Sequence, residues 1–114
     1  MKKNMRFVLL ILFCFLLLGC DAGVEIVGIE IHSYPDQRLY VTSVDTELNL
    51  SGGEIYFLLR YGGRSWYSYS MYYDAITITH DIDFNKPGIY VVTLSRHRGV
   101  TQFEIEVVNP EDLP

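Results

Sequence analysis

Four kinds of residue in this chain could carry chemistry: an acidic and amide run at Asp81-Ile82-Asp83-Phe84-Asn85, three histidines, two cysteines and a concentration of tyrosines. Asp81, Asp83 and Asn85 have the D-x-D-x-N spacing with which oxygen ligands open a calcium loop. Lys86, however, stands where such a loop requires glycine, and Val92 where it requires glutamate. Nucleophilic catalysis needs a serine or cysteine beside a base and a third, orienting group. His32, His80 and His97 fall on separate segments, and no nucleophile-elbow sequence surrounds a serine. No two histidines have zinc-ligand spacing. The expectation is therefore a non-catalytic chain that uses no metal and no cofactor. The tyrosines are the sharper signal. Tyr56, Tyr67, Tyr69, Tyr72 and Tyr73 crowd into or just after one central segment. Tyrosine offers broad contact area at low conformational cost, which makes these five a candidate binding surface; tyrosines also suit strands and pack along sheet edges.

The cysteines point to attachment. Lys2, Lys3 and Arg6 precede an unbroken apolar run from Phe7 to Leu18, shorter than the ~20 residues that span a bilayer comfortably. The run ends Leu17-Leu18-Gly19-Cys20, which resembles the lipobox of bacterial lipoproteins. That resemblance implies a signal peptide over residues 1–19, cleavage before Cys20, acylation of the Cys20 thiol, and a short tether over residues 20–23. It also implies a lipid-anchored protein of the cell membrane or outer membrane, facing the periplasm or the exterior. Cys14 would leave with the signal, so no disulfide is available and a core must hold the fold. Cleavage would also remove three of nine basic residues, leaving six against fourteen Asp and Glu. So acidic a chain is repelled by nucleic acid and by anionic headgroups, and membrane attachment is expected from the acyl chains alone.

The elements that must position these residues read as strands. Val27, Ile29 and Ile31 alternate with polar partners and glycine, and Pro35-Asp36 stops that strand. Arg38 to Val44 and Glu47 to Leu50 are short strand candidates. Glu54 to Tyr61, Gly62-Gly63 and Arg64 to Ser70 predict a hairpin on a two-residue turn. In that register Leu59 faces Trp66; Ile55, Phe57, Leu59 and Trp66 form the core face, and Tyr56, Tyr67 and Tyr69 the outer one. Ile76 to Thr79 is a further short strand. The clearest pattern comes last, where Tyr90, Val92 and Leu94 share one face of a strand after Pro87-Gly88. Phe103, Ile105 and Val107 share one face of the next, with Arg96-His97-Arg98-Gly99 connecting them and the glycine supplying a positive φ. No amphipathic helix of useful length follows residue 23. Short strands about every ten residues predict an all-β, immunoglobulin-like β-sandwich as a single domain over residues 24–108, with a disordered tail over 109–114.

The order of these signals resembles the group 3 bacterial Ig-like domains. Ile29-Glu30-Ile31 with Pro35 and Tyr40 looks like that family's opening, Leu48-Asn49-Leu50-Ser51-Gly52 like its L-D-L-S-G element, and Tyr61-Gly62-Gly63 like its hairpin turn. Asp83-Phe84-Asn85-Lys86-Pro87-Gly88-Ile89-Tyr90-Val91-Val92 looks like its F-D-x-x-K-P-G-x-Y-x-V signature. The segment after Tyr40 departs by a longer Val41 to Glu47, and Gly62 stands where Asp is usual. Tyr90, two residues before Val92, resembles the tyrosine corner of Ig-like folds. The resemblance implies no catalytic residues. It implies an adhesion, spacer or ligand-binding role, here a lipid-anchored module contacting a protein or glycan. Alternatives are a structural accessory subunit of an envelope complex, or a small enzyme inhibitor that uses Tyr61 to Arg64 or Arg96 to Gly99.

Overall fold

A computed structural model describes residues 25–114; the signal segment, Cys20 and the tether lie outside the described residues. The described chain is all-β. Its strands are β1 (Ile26–Ser33), β2 (Leu39–Val41), β3 (Glu54–Leu59), β4 (Tyr69–Ser70), β5 (Thr77–His80), β6 (Gly88–Arg96) and β7 (Gly99–Val108). They form two sheets, one ordered β1-β3-β4 and the other β2-β7-β6-β5. Every pairing is antiparallel except β2 with β7, which is parallel.

The β6–β7 hairpin is the longest ladder, and its alternation sets the core. Val92 lies opposite Phe103 and Tyr90 opposite Ile105. Val92, Leu94, Phe103, Ile105 and Val107 are buried against Ile29, Ile55 and Phe57 of the other sheet. Disulfide-free stability rests on that apolar contact, at roughly 25 cal/mol per Å² removed from water. The turn between β6 and β7 differs from expectation. The positive φ (53°) belongs to His97, not Gly99. Gly99 is required for space instead: a Cβ there would sit 2.9 Å from the Gly28 carbonyl carbon and 2.9 Å from Ile29 Cγ1. The two sheets thus approach closely where β1 crosses the start of β7.

Other boundaries shift for identifiable reasons. The β1 register slips between Ile26 and Gly28. This bulge turns Val27 outward and puts Ile26 into the core in its place. β2 is only three residues long, because Asp45 Oδ2 accepts the Val41 N–H at 2.7 Å and a turn follows. Glu47 to Leu50 is not a strand. It is pinned by the fully buried Tyr40, whose hydroxyl accepts the Asn49 N–H at 3.0 Å and donates to the Asn49 carbonyl at 3.2 Å. Burial raises the Tyr40 pKa above its ordinary value. Residues 109–114 also carry structure: Pro110–Asp112 form a 3-10 turn, and Thr42 Oγ1 donates to Asn109 Oδ1 at 2.9 Å.

The central hairpin departs most. Leu59 N–H bonds to Gly63 O and Gly62 N–H to Leu59 O. The connection is therefore three residues, Arg60-Tyr61-Gly62, with Gly62 at φ 92° and Gly63 at 78°. A three-residue connection displaces the partner strand by an odd number of positions relative to the expected turn, and an odd displacement exchanges the two faces. Ser65 pairs with Phe57 through its backbone N–H (2.8 Å), and its hydroxyl accepts the Phe57 N–H (3.2 Å) and donates to Tyr67 O (2.8 Å). Trp66 and Tyr67 are thrown out as a bulge before pairing resumes at Ile55 with Tyr69.

Candidate functional site

The five tyrosines do not share one face. Tyr69, opposite Ile55, turns toward the core side, where its ring lies 5.0 Å from Phe57 and 4.9 Å from Tyr73. Tyr56 stands on the other face of β3, against His32 (4.8 Å between centroids) and under the Arg64 guanidinium (4.3 Å). Tyr72 is a structural pin, its hydroxyl accepting the Leu50 N–H at 2.7 Å and lying 3.3 Å from Asn49 Oδ1. Tyr67 is 75% exposed, and Trp66, expected in the core, is 94% exposed. The reason is the three-residue turn and the bulge that follows Ser65.

What the fold does bring together is Phe57, Tyr69 and Tyr73, at one wall of an open cleft of ≈ 520 Å³ between the two sheets. Ile26 and Leu59 extend the apolar lining, and Ser65, Arg96 and His97 supply the polar groups. Arg96 comes from the end of β6. Its guanidinium carbon is 4.9 Å from the Phe57 ring centroid and 5.3 Å from that of Tyr73, within cation–π range of both. No carboxylate among the described residues forms an ion pair with Arg96. A half-sequestered guanidinium beside a cluster of tilted rings can accept a flat or apolar ligand surface and an anionic or carbonyl oxygen together.

The cleft lies at the end of the molecule where three segments meet. Arg60 donates its backbone N–H to the Glu25 carbonyl, and the Arg60 and Arg98 side chains hold the two Glu25 carboxylate oxygens at 3.1 and 3.3 Å. The start of β1, the β3–β4 connection and the β6–β7 turn are thereby tied together. Tyr69 and Tyr73 stand out in the sequence through local crowding and Arg96 and His97 only as part of a candidate inhibitor loop; Ser65 carries no such signal, and the three reach the cleft beside the tyrosines only through the pairing of distant strands. The Asp81-x-Asp83-x-Asn85 run serves local geometry: Asp83 Oδ1 accepts the Asn85 N–H at 3.0 Å, and His80 Nδ1 accepts the Ile82 N–H at 3.2 Å. Among the described residues no three His, Cys, Asp or Glu side chains gather as a metal site, and no helix is long and apolar enough to cross a membrane. Compared with known proteins, the chain matches no protein-family model and no curated sequence.

Proposed function

We propose that this chain is a lipid-anchored, non-catalytic interaction module of the bacterial cell envelope, built as an immunoglobulin-like sandwich, with its ligand contact in the aromatic cleft. The Ig-like assignment is supported by two facing sheets, by the parallel β2–β7 pairing, and by Tyr90, whose hydroxyl donates to the Lys86 carbonyl at 2.7 Å in the manner of a tyrosine corner. The anchor is supported by the Leu17-Leu18-Gly19-Cys20 sequence. The observation that carries the functional reading is the Arg96 guanidinium over the Phe57–Tyr73 rings in an open cleft. Such a surface fits a glycan bearing carboxylate groups, the sugar C–H face packing on an exposed tyrosine ring face and the acid meeting Arg96. The test is retention of the purified chain on acidic and on neutral envelope polysaccharides. Arg96→Gln is expected to abolish the preference for the acidic polymer, and Tyr73→Ala to weaken binding to both roughly tenfold, about 1.4 kcal/mol. Folded variants that bind as the wild type does would overturn the assignment.

A further inference from the structure

We propose that the end of the domain carrying the β3–β4 connection is a membrane-docking surface, seated on an anionic lipid bilayer with Trp66, Tyr61 and Tyr67 at the headgroup level. The inference extends the lipid-anchor reading and uses the exposed rings of the β3–β4 connection, at the same end of the domain as the cleft. Three observations converge on it. First, Trp66, Tyr61 and Tyr67 are 94%, 80% and 75% exposed on one short connection. Their rings stabilise nothing in the two-sheet core, and amphipathic indole and phenol rings are the side chains that favour the interface between water and hydrocarbon.

Second, charge is segregated along the molecule. Arg60 and Arg98 lie at this end and Arg64 just beside it, over Tyr56, with more than half of each side chain exposed. Glu25, at the same end, is held by both Arg60 and Arg98, and Glu30 lies 4.0 Å from Arg64. A group of acidic side chains lies toward the opposite end, on the loops beyond β2 and before β6 and at the end of β7: Asp45, Glu47, Asp81, Asp83 and Glu106. The overall acidity that argued against anionic headgroups is therefore not shared by this end, where Arg60, Arg64 and Arg98 outnumber their partners Glu25 and Glu30. Each arginine near an anionic surface adds to the attraction.

Third, the chain enters the domain at this end. Four residues lie between Cys20 and Glu25, so the five steps reach at most about 17 Å. Glu25 is fastened to Arg60 and Arg98, so an acyl group on Cys20 brings the aromatic connection, and not the acidic loops, within reach of the bilayer.

Trp66 is the chain's one tryptophan, so its emission reports on this contact alone. The mature chain, purified in detergent, would be reconstituted into vesicles of equimolar phosphatidylcholine and phosphatidylglycerol, with Cys20 acylation read independently by mass spectrometry. The expected result is blue-shifted emission, quenching by phosphatidylcholine brominated near the headgroup, and protection from iodide. Water-like emission open to iodide, in protein whose Cys20 is acylated, would overturn the docking surface and leave the anchor intact. If Cys20 is unmodified, the anchor reading fails. The docking surface then stands on whether Cys20→Ala chain binds the same vesicles in a salt-sensitive way, with Arg64→Glu lowering affinity roughly tenfold; no binding, or equal binding by Arg64→Glu, overturns it.

Discussion

Trp66 and Tyr69 sit three residues apart on one hairpin, and truncating each separates the two strand registers cleanly. Tyr69 packs on Phe57 at 5.0 Å and on Tyr73 at 4.9 Å. Each aromatic pair contributes about 1 kcal/mol beyond its buried area. Losing roughly 70 Å² of half-buried ring surface adds about 2 kcal/mol at ~25 cal/mol per Å². Tyr69→Ala is therefore expected to cost about 3–4 kcal/mol, a large share of the stability of a small domain without disulfides. Trp66, at 94% exposure, has almost no packing to lose, and Trp66→Ala is expected to stay within about 0.5 kcal/mol of wild type. Urea unfolding followed by far-ultraviolet circular dichroism measures both without relying on the tryptophan. A costly Trp66→Ala beside a neutral Tyr69→Ala would restore the two-residue turn and refute the bulge at Trp66-Tyr67.

Three further outcomes follow from the packing. Gly99→Ala places a methyl 2.9 Å from the Gly28 backbone and is expected to cost about 1–3 kcal/mol, whereas Gly28→Ala meets the mobile end of Leu58 at 2.9 Å and costs less; thermal unfolding ranks the pair. Burial raises the Tyr40 pKa, so its protonated form contributes stability in full below pH 10, and that contribution is lost as pH rises through the folded-state value. Tyr40→Phe is expected to be destabilised by about 1–2 kcal/mol at neutral pH and to show a shallower decline in Tm above pH 10. Tyr90→Phe removes the 2.7 Å bond to Lys86 and is expected to cost about 1 kcal/mol in the same unfolding assay.

The parts of the fold that were legible in the sequence are those where period-two alternation and a short polar connection agree. The β6–β7 hairpin is the clearest case, with Val92, Leu94, Phe103, Ile105 and Val107 all inward. Ile55 and Phe57 were legible for the same reason. What failed was pairing, since alternation tells which residues of a strand share a face but not how many residues a turn consumes. Gly62-Gly63 suits both a two-residue and a three-residue connection, and the choice reversed Trp66 and Tyr69. Val27 failed through a bulge that leaves no mark in composition. The cleft was half legible. Tyr69 and Tyr73 stood out as a crowd, but Arg96 joins them only because β6 ends across from β3 in the opposite sheet. The placement of charge along the molecule is likewise invisible in a net total, because Arg60 and Arg98 come together on Glu25 only in the folded chain.

The proposed ligand contact at the cleft is tested most directly by titrating isotope-labelled chain with oligosaccharides cut from an acidic envelope polysaccharide and following amide and aromatic resonances. Shifts centred on Tyr69, Tyr73, Arg96 and His97, with Tyr56 and Tyr72 unmoved, are the expected result. Shifts centred on Tyr56 and His32, or no shifts at any concentration reached, would contradict the assignment of ligand contact to the aromatic cleft.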